Sequence, residues 1–178
     1  MKKQKRKNKK LTNDLFLFSA IEPESVEEII EDIINIRKKN KKPINLYINS
    51  PGGFCSDGFA LIDIIEQNFP IRTIAIGEIC SMACPIFLSG KKGERYISSN
   101  AFAMFHPVHT GASDYLSFVE SRIKNSKVIE KMYDDFVLGH CKMPKNIYNK
   151  AKNSELWLNA KECLDYGIAD KLYKGSFK

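Results

Sequence analysis

The sequence lacks any apolar segment long enough to span a bilayer. Hydrophobic residues make up 43% of the 178 residues and charged residues 28%, which is an ordinary balance for a globular protein. No apolar run approaches the roughly 18–20 residues that a transmembrane helix needs. The composition therefore excludes a transmembrane helix and wholesale disorder, and the length suits one domain with a single sizeable core.

Paired cysteines and histidines are also scarce. Three histidines are widely scattered, and no C-x-x-C pair occurs among the five cysteines, which are Cys55, Cys80, Cys84, Cys141 and Cys163. Structural zinc sites need thiolates and imidazoles at short spacing, so no metal site is predicted. Reduced thiols in a cytoplasmic protein are the simplest interpretation, because disulfides persist mainly in oxidising compartments.

Acidic residues are absent from the first ten positions, MKKQKRKNKK, which hold seven of the 28 Lys and Arg residues. The other 168 residues carry 21 basic and 21 acidic side chains, so the net charge of +7 belongs to this segment alone. The segment has neither an apolar stretch nor a hydrophobic face, which excludes a secretory signal and a membrane-surface helix. We expect residues 1–12 to form a disordered basic tail, with contact to RNA or another acidic partner as the alternative. Because the other 168 residues have no net charge, we do not expect them to bind nucleic acid.

Hydrophobic periodicity predicts alternating strands and helices. The predicted strands are Leu15–Phe18, Ile44–Ile48, Ile71–Ile76, Arg95–Ile97, Phe102–Phe105, Leu156–Leu158 and a last one near Lys171–Tyr173. The predicted helices are Glu22–Lys39, one containing Phe59, Ile62, Ile65 and Phe69, Met82–Leu88, Tyr115–Leu138 and Ala160–Tyr166. This alternation predicts an α/β fold. Neither an internal repeat nor a linker interrupts it, so we expect residues 13–178 to form one domain.

The turn Asn49–Gly53 follows a predicted strand and precedes a predicted helix. Pro51 fixes φ for a turn, and Gly52 can adopt a positive φ at the next position. Gly53 leaves backbone N–H groups unobstructed near the positive end of the helix, where a phosphate or an oxyanion can bind. A plain strand-to-helix turn without a ligand is the alternative. The segment is not a P-loop, because no Gly-Lys-Ser/Thr follows.

Ser81 lies between a strand that is predicted to end at Gly77 and a helix that begins directly after the serine. At such a junction free helix amides stabilise an oxyanion that forms beside the hydroxyl. A simple helix cap is the alternative. Cys80 and Cys84 are rival nucleophiles.

Histidine is the usual base for a serine nucleophile, and it needs an acid to orient it. His106 directly follows the strand Phe102–Phe105 and is the best placed of the three. His109 is less constrained, and His140 stands at the end of the long helix, where a cation complements the helix dipole. A buried structural histidine is the alternative for His106.

Taken together, these motifs resemble the proteolytic subunit of the Clp protease, ClpP, from about Leu15 to Tyr173. The matching motifs are Ile48–Gly53, Gly77-x-x-x-Ser81-Met82-Ala83, Met104-x-His106 and Trp157-x-x-Ala160-x-Glu162-x-x-x-Tyr166-Gly167-Ile168-x-Asp170. The resemblance implies a crotonase-like ββα superhelix with a protruding helical handle within Tyr115–Leu138. It also implies a serine endopeptidase that forms two stacked seven-membered rings around a chamber. An AAA+ unfoldase would feed protein substrates into that chamber, and neither a metal nor an organic cofactor is implied.

By position, the resemblance assigns Ser81 as the nucleophile and His106 as the general base. The backbone amides of Gly53 and Met82 would form the oxyanion hole. Glu155 stands where the family usually has the aspartate of the triad, and Asp170 is the rival carboxylate, although it belongs to a terminal structural segment in the family pattern.

Two further departures are the lysine-rich N-terminus and Pro107, which directly follows the proposed base. The departures keep open a catalytically silent ring or scaffold subunit and a phage head-maturation protease. A crotonase-type acyl-CoA enzyme is a third alternative, because it also uses an oxyanion hole but does not need a Ser–His pair.

Overall fold

The structure is a computed structural model that describes residues 11–109 and 115–175. The predicted basic tail falls mainly on residues 1–10, which lie outside the described residues. The strands are β1 (Asp14–Leu17), β2 (Ile44–Ser50), β3 (Ile71–Cys80), β4 (Arg95–Ile97), β5 (Phe102–Phe105), β6 (Leu156–Asn159) and β7 (Lys171–Leu172). The helices are α1 (Pro23–Lys39), α2 (Cys55–Gln67), α3 (Ala83–Leu88), α4 (Leu116–His140), α5 (Lys145–Tyr148) and α6 (Ala160–Asp165), with a 3₁₀ helix at Asn149–Lys152.

A mostly parallel sheet forms the centre of the single α/β domain. Its main path runs β1-β2-β3-β4-β7, and every neighbouring pair on that path is parallel. Strand β5 pairs in parallel with β3, and β6 pairs antiparallel with β5. The α/β prediction is therefore confirmed. Parallel strands need crossover connections, which explains why helices follow β1, β2 and β3 along the chain.

Helices α1 and α2 bury apolar stripes against the same core as the sheet. The stripe on α1 consists of Val26, Ile29, Ile33 and Ile36, and that on α2 includes Leu61, Ile62 and Ile65. Glu24 near the start of α1 and Arg37, Lys38 and Lys39 in its last turn match the helix dipole. No helix within the described ranges is long and apolar enough to cross a membrane.

Strand β3 does not end at Gly77, as the sequence suggested, but continues to Cys80. Gly77 has φ +78° and lies so close to Asn49 that an added Cβ would approach Oδ1 within 2.6 Å. The glycine therefore acts as a bend inside the strand rather than as its end. Before the bend Thr73–Ala75 pairs with β4, and after it Glu78–Cys80 pairs with β5. This bend brings Ser81 to the end of β5.

Helix α5 and the 3₁₀ helix have no counterpart among the predicted elements, because the polar segment 145–152 lacks helical periodicity. Tertiary contacts to α4 hold it instead. The Tyr148 hydroxyl donates to Asp134 Oδ1 at 2.7 Å, and the Lys152 ammonium pairs with both Asp134 and Glu130. Helix α4 also continues two residues beyond the predicted end, through Gly139 to His140.

A buried ion pair ties β4 to the segment after α6. Arg95 is 3% exposed, and its guanidinium donates to both carboxylate oxygens of Asp170 at 2.7 and 2.9 Å. The remaining donors reach the carbonyls of His140 and Gly167 at 2.8 and 3.0 Å. Asp170 additionally accepts from the backbone N–H of Gly93 at 2.7 Å. Every partner in this cluster is satisfied within the protein, which fits the structural role expected for Asp170.

Candidate active site

Ser81 occupies a strained position between β3 and α3. Its φ of +51° places it in the left-handed region, which non-glycine residues seldom adopt without a functional reason. The Ser81 N–H donates to the Met104 carbonyl at 2.8 Å, and the Ser81 carbonyl accepts from the Cys84 N–H at 3.0 Å. The start of α3 has no side-chain cap, so the simple capping role does not apply to Ser81.

The turn Pro51–Gly53 packs directly against Ser81. An added Cβ on Gly52 would lie 2.6 Å from the Ser81 Cβ, so only glycine lets the two backbones approach this closely. Gly53 forms an isolated parallel bridge with Ile21, in which the Ile21 N–H donates to the Gly52 carbonyl and Phe54 N–H donates to the Ile21 carbonyl, both at 2.8 Å. The turn is thereby fixed from the side opposite the serine.

The backbone amides of Gly53 and Met82 are the two candidate donors of an oxyanion hole. The bridge to Ile21 uses the groups on either side of Gly53 and leaves the Gly53 N–H directed elsewhere. Across residues 11–109 and 115–175, neither the Gly53 nor the Met82 N–H has a hydrogen-bond acceptor. Two free amides beside a serine hydroxyl are the donors that an oxyanion hole requires.

A cleft of about 310 Å³ opens beside Ser81 and Gly53, whereas Met82 is fully buried behind Ser81 and is not among the lining residues. The structure brings Ser81, Gly53 and His106 together in its lining, which consists of Pro51, Gly52, Gly53, Cys55, Ser81, His106, Val108, His109 and Tyr133. No hydrogen bond joins the Ser81 hydroxyl to the His106 ring among the described residues. Such a contact often tightens only when substrate binds. His109, the less constrained alternative, lines the same cleft.

Glu155 is exposed and does not line the cleft, but the sheet register brings it to the same end of β5 as His106. The β5–β6 ladder ends with the pair Phe105–Leu156, and His106 and Glu155 are the next residues beyond that pair. No hydrogen bond or ion pair joins Glu155 to His106 in the described part of the chain. Facing residues in an antiparallel pair project to the same side, within reach of long side chains. The Trp157 indole N–H donates to Glu155 Oε2 at 2.8 Å, which leaves Oε1 for another donor.

The two rival cysteines are poor nucleophiles in this environment. Burial, followed by the charge of Glu78, raises the pKa of Cys80 to about 12, and its thiol donates to Glu78 Oε2 at 3.6 Å. Burial raises the pKa of Cys84 well above its ordinary value, and its thiol donates to the Ile79 carbonyl at 3.1 Å. Because the thiolate is the reactive form, both side chains stay unreactive at neutral pH.

Tyr133 lines the cleft and contacts Ser81, but the sequence did not indicate it as a site residue. It lies on α4, is 4% exposed, and its hydroxyl donates to the Ser81 carbonyl at 3.0 Å. No local motif marks it, because it reaches the serine from 52 positions further along the chain. The only signal is its place in the apolar face of α4 with Val137, which predicts burial rather than a role at the site.

Comparison with known proteins gives a consistent result over nearly the whole chain. The profile of the Clp protease family matches residues 3–176. The ATP-dependent Clp protease proteolytic subunit of Carsonella ruddii (strain PV) is 32% identical over 162 residues, which cover 90% of this chain and 84% of the relative. The ATP-dependent Clp protease proteolytic subunit 1 of Rhodopirellula baltica is 27% identical over 164 residues, which cover 91% and 72% of the two chains.

Proposed function

The chain belongs to the Clp protease family of serine endopeptidases, and on this basis we propose that it cleaves peptide bonds with Ser81 as the nucleophile. The observation that best supports this assignment is the strained Ser81 in one cleft with His106 and the Gly53 amide. The free Met82 amide adjoins the serine directly. The unreactive Cys80 and Cys84 leave Ser81 as the available nucleophile at the end of β3.

His106 acts as the general base. It takes the Ser81 proton as Oγ attacks the substrate carbonyl, and the Gly53 and Met82 amides donate to the oxygen that becomes negative. His106 then returns the proton to the leaving amine, and an acyl-enzyme remains. Water, deprotonated by the same imidazole, hydrolyses this ester. Neither a metal nor an organic cofactor takes part in this mechanism.

Glu155 completes the triad as the acid that orients His106. The position of both residues just beyond the last β5–β6 pair supports this role, and so does Oε1, which the Trp157 contact leaves open. The indole of Trp157 holds the other oxygen and itself packs against Phe102 at 5.4 Å between ring centroids. This contact limits the freedom of the longer Glu side chain, whose extra torsion otherwise makes the geometry harder to maintain than with Asp.

Assembly into seven-membered rings around a chamber, with a crotonase-like superhelix and α4 as the handle, is the proposed higher-order structure. Large apolar side chains on α4 are about half exposed in the single chain, namely Phe118, Ile123, Val128 and Met132. Such surface is typical of a contact with other chains. The relatives are named as proteolytic subunits of ATP-dependent Clp proteases, which supports an ATP-driven partner. The partner that we propose is an AAA+ unfoldase that delivers unfolded protein as the substrate. The five free thiols agree with a cytoplasmic location.

The comparisons do not favour the alternatives. Both relatives are named as proteolytic subunits, rather than as scaffolds, head-maturation proteases or acyl-CoA enzymes. A catalytically silent subunit also has no use for a strained serine beside two free amides, because such strain persists only where the surrounding structure maintains it.

The proposal is tested with Ser81→Ala, with Ser56→Ala on the exposed start of α2 as the control. We expect Ser81→Ala to lose peptidase activity by more than about 1,000-fold and to lose labelling by a fluorophosphonate probe. The control retains both, and light scattering gives the same particle mass for all three proteins. Cleavage that survives in Ser81→Ala but disappears in Cys80→Ala contradicts the assignment, and so does an unlabelled wild-type assembly.

A further inference from the structure

The peptide group between Ser81 and Met82 is held on its carbonyl side by two donors. The Tyr133 hydroxyl and the Cys84 N–H each donate to the Ser81 carbonyl at 3.0 Å. A trans peptide is planar, so its C=O and N–H point in opposite directions. The contacts that fix the Ser81 carbonyl therefore also fix the direction of the Met82 N–H, the neighbouring free amide.

The two donors differ in where they come from. Cys84 lies three residues after Ser81 in α3 and moves with the same segment. Tyr133 belongs to α4, which packs on α3 from outside, and it is 4% exposed. Burial raises the pKa of the Tyr133 hydroxyl well above its ordinary value, so the hydroxyl remains a donor throughout the working pH range. Tyr133 is thus the external anchor of this peptide group.

An anchor matters here because the Ser81–Met82 peptide can rotate about the Ser81 Cα–C bond and the Met82 N–Cα bond. Such a rotation leaves the left-handed φ of Ser81 unchanged, and it leaves the Ser81 N–H bonded to the Met104 carbonyl. It turns the Met82 N–H to a new direction while leaving the Ser81 side chain in place.

We propose that Tyr133 is a positioning residue for the oxyanion hole: its hydroxyl holds the Ser81 carbonyl so that the Met82 N–H points at the oxyanion position. The inference rests on the proposed function, since it takes Ser81 as the nucleophile. Tyr133 does not touch the reacting atoms in this role. Its effect appears only where charge develops on the substrate oxygen.

The test replaces the hydroxyl alone, with Tyr133→Phe compared against Tyr148→Phe in the full-length protein. Tyr148 is a matched control, because it is 3% exposed and its hydroxyl donates to Asp134 away from the cleft. Direct loss of an oxyanion donor costs about 100- to 1,000-fold in kcat, so we expect loss of its anchor to lower kcat about 10-fold with KM unchanged. Tyr148→Phe keeps the wild-type kcat.

A peptide boronic acid gives a second readout, because its tetrahedral adduct with Ser81 places an oxygen in the oxyanion hole. We expect Tyr133→Phe to bind the boronate about 10-fold more weakly than wild type, in parallel with the fall in kcat. The affinity for the same peptide with a C-terminal amide in place of the boronic acid should equal that of wild type. Wild-type kcat and wild-type boronate affinity in Tyr133→Phe overturn the inference. An equal fall of both quantities in Tyr133→Phe and Tyr148→Phe also overturns it, because such a fall indicates a packing effect. Activity that survives Ser81→Ala refutes the proposed function instead.

Discussion

The cleft around Ser81 and the cluster around Arg95 are two polar regions of one domain with opposite hydrogen-bonding patterns. Around Arg95, both oxygens of Asp170 and two backbone carbonyls accept from one buried guanidinium. Around Ser81, the Gly53 and Met82 amides lack acceptors among the described residues, and the serine backbone is strained. Saturated polar groups stabilise a fold, whereas preorganised but unsatisfied ones can bind a substrate. The comparison therefore separates a structural acid, Asp170, from the candidate catalytic acid, Glu155.

Among the changes that test this comparison, Glu155→Gln should have the largest effect, and that effect is on turnover. In the proposed triad, Glu155→Gln removes the negative charge that would stabilise the His106 imidazolium, and it replaces one acceptor oxygen with an NH₂ group. We expect turnover to fall at least about 100-fold with little change in unfolding free energy, because changing the aspartate of a Ser-His-Asp triad to asparagine lowers kcat roughly 10⁴-fold. Peptide hydrolysis measures this. Glu78→Gln, a change of another carboxylate near Cys80, is the control and retains activity.

Near wild-type turnover in Glu155→Gln would favour a Ser81–His106 dyad. Glu155→Asp keeps the negative charge and shortens the side chain. Partial activity of this variant supports an orienting acid whose geometry has changed.

Asp170→Asn should show the opposite outcome, with loss of stability and retained chemistry. The amide keeps one acceptor oxygen, and Arg95 keeps the carbonyls of His140 and Gly167, so we expect a loss of about 2 kcal/mol in unfolding free energy. Denaturant unfolding measures the loss, and kcat per folded protein should stay unchanged. Asp165→Asn, which removes an exposed partner of Lys161, serves as the control with a loss near zero. A fall in kcat at full stability would assign Asp170 to the site.

The same ion pair predicts a smaller effect of pH on stability. Burial alone raises the pKa of the Asp170 carboxyl, but the hydrogen bonds and charge of Arg95 hold it below its ordinary value of 3.8. A carboxyl whose pKa is lower in the folded than in the unfolded state stabilises the protein at pH values above the unfolded-state pKa. This contribution disappears as the pH falls through the folded-state pKa. The stability difference between wild type and Asp170→Asn should therefore be constant near neutral pH and narrow below about pH 4. A constant difference down to pH 2 contradicts this account.

The smallest expected effect on both regions comes from deleting residues 2–10. These residues hold seven positive charges and leave a neutral body, so salt-sensitive binding to a polyanion should fall while unfolding free energy and peptidase activity stay unchanged. Retention on a heparin column measures the first, and replacing the seven basic residues with Gln provides the matched control. Unchanged retention after the deletion would place polyanion binding in the body.

Local sequence patterns predicted nearly all the regular elements, because helix and strand periodicities are local properties. The α1 segment has Pro23 at its start and basic residues in its last turn, and it forms the expected helix. Gly77 was misread as a strand end, because a glycine inside a strand and one after it have the same local signal. The segment 145–152 was missed, since its helical turns depend on contacts with α4.

The alternating α/β order, the glycine turn at Pro51–Gly53 and the order of motifs that marks the Clp protease family all follow from the amino-acid sequence. These depend on residue types at short spacing. Folding of the whole domain brings Gly53, Ser81 and His106 to one cleft and places the Tyr133 hydroxyl at the Ser81 carbonyl. Such contacts join residues 25 to 52 positions apart through the bend in β3 and the packing of α4, and no local pattern encodes a distance across the core.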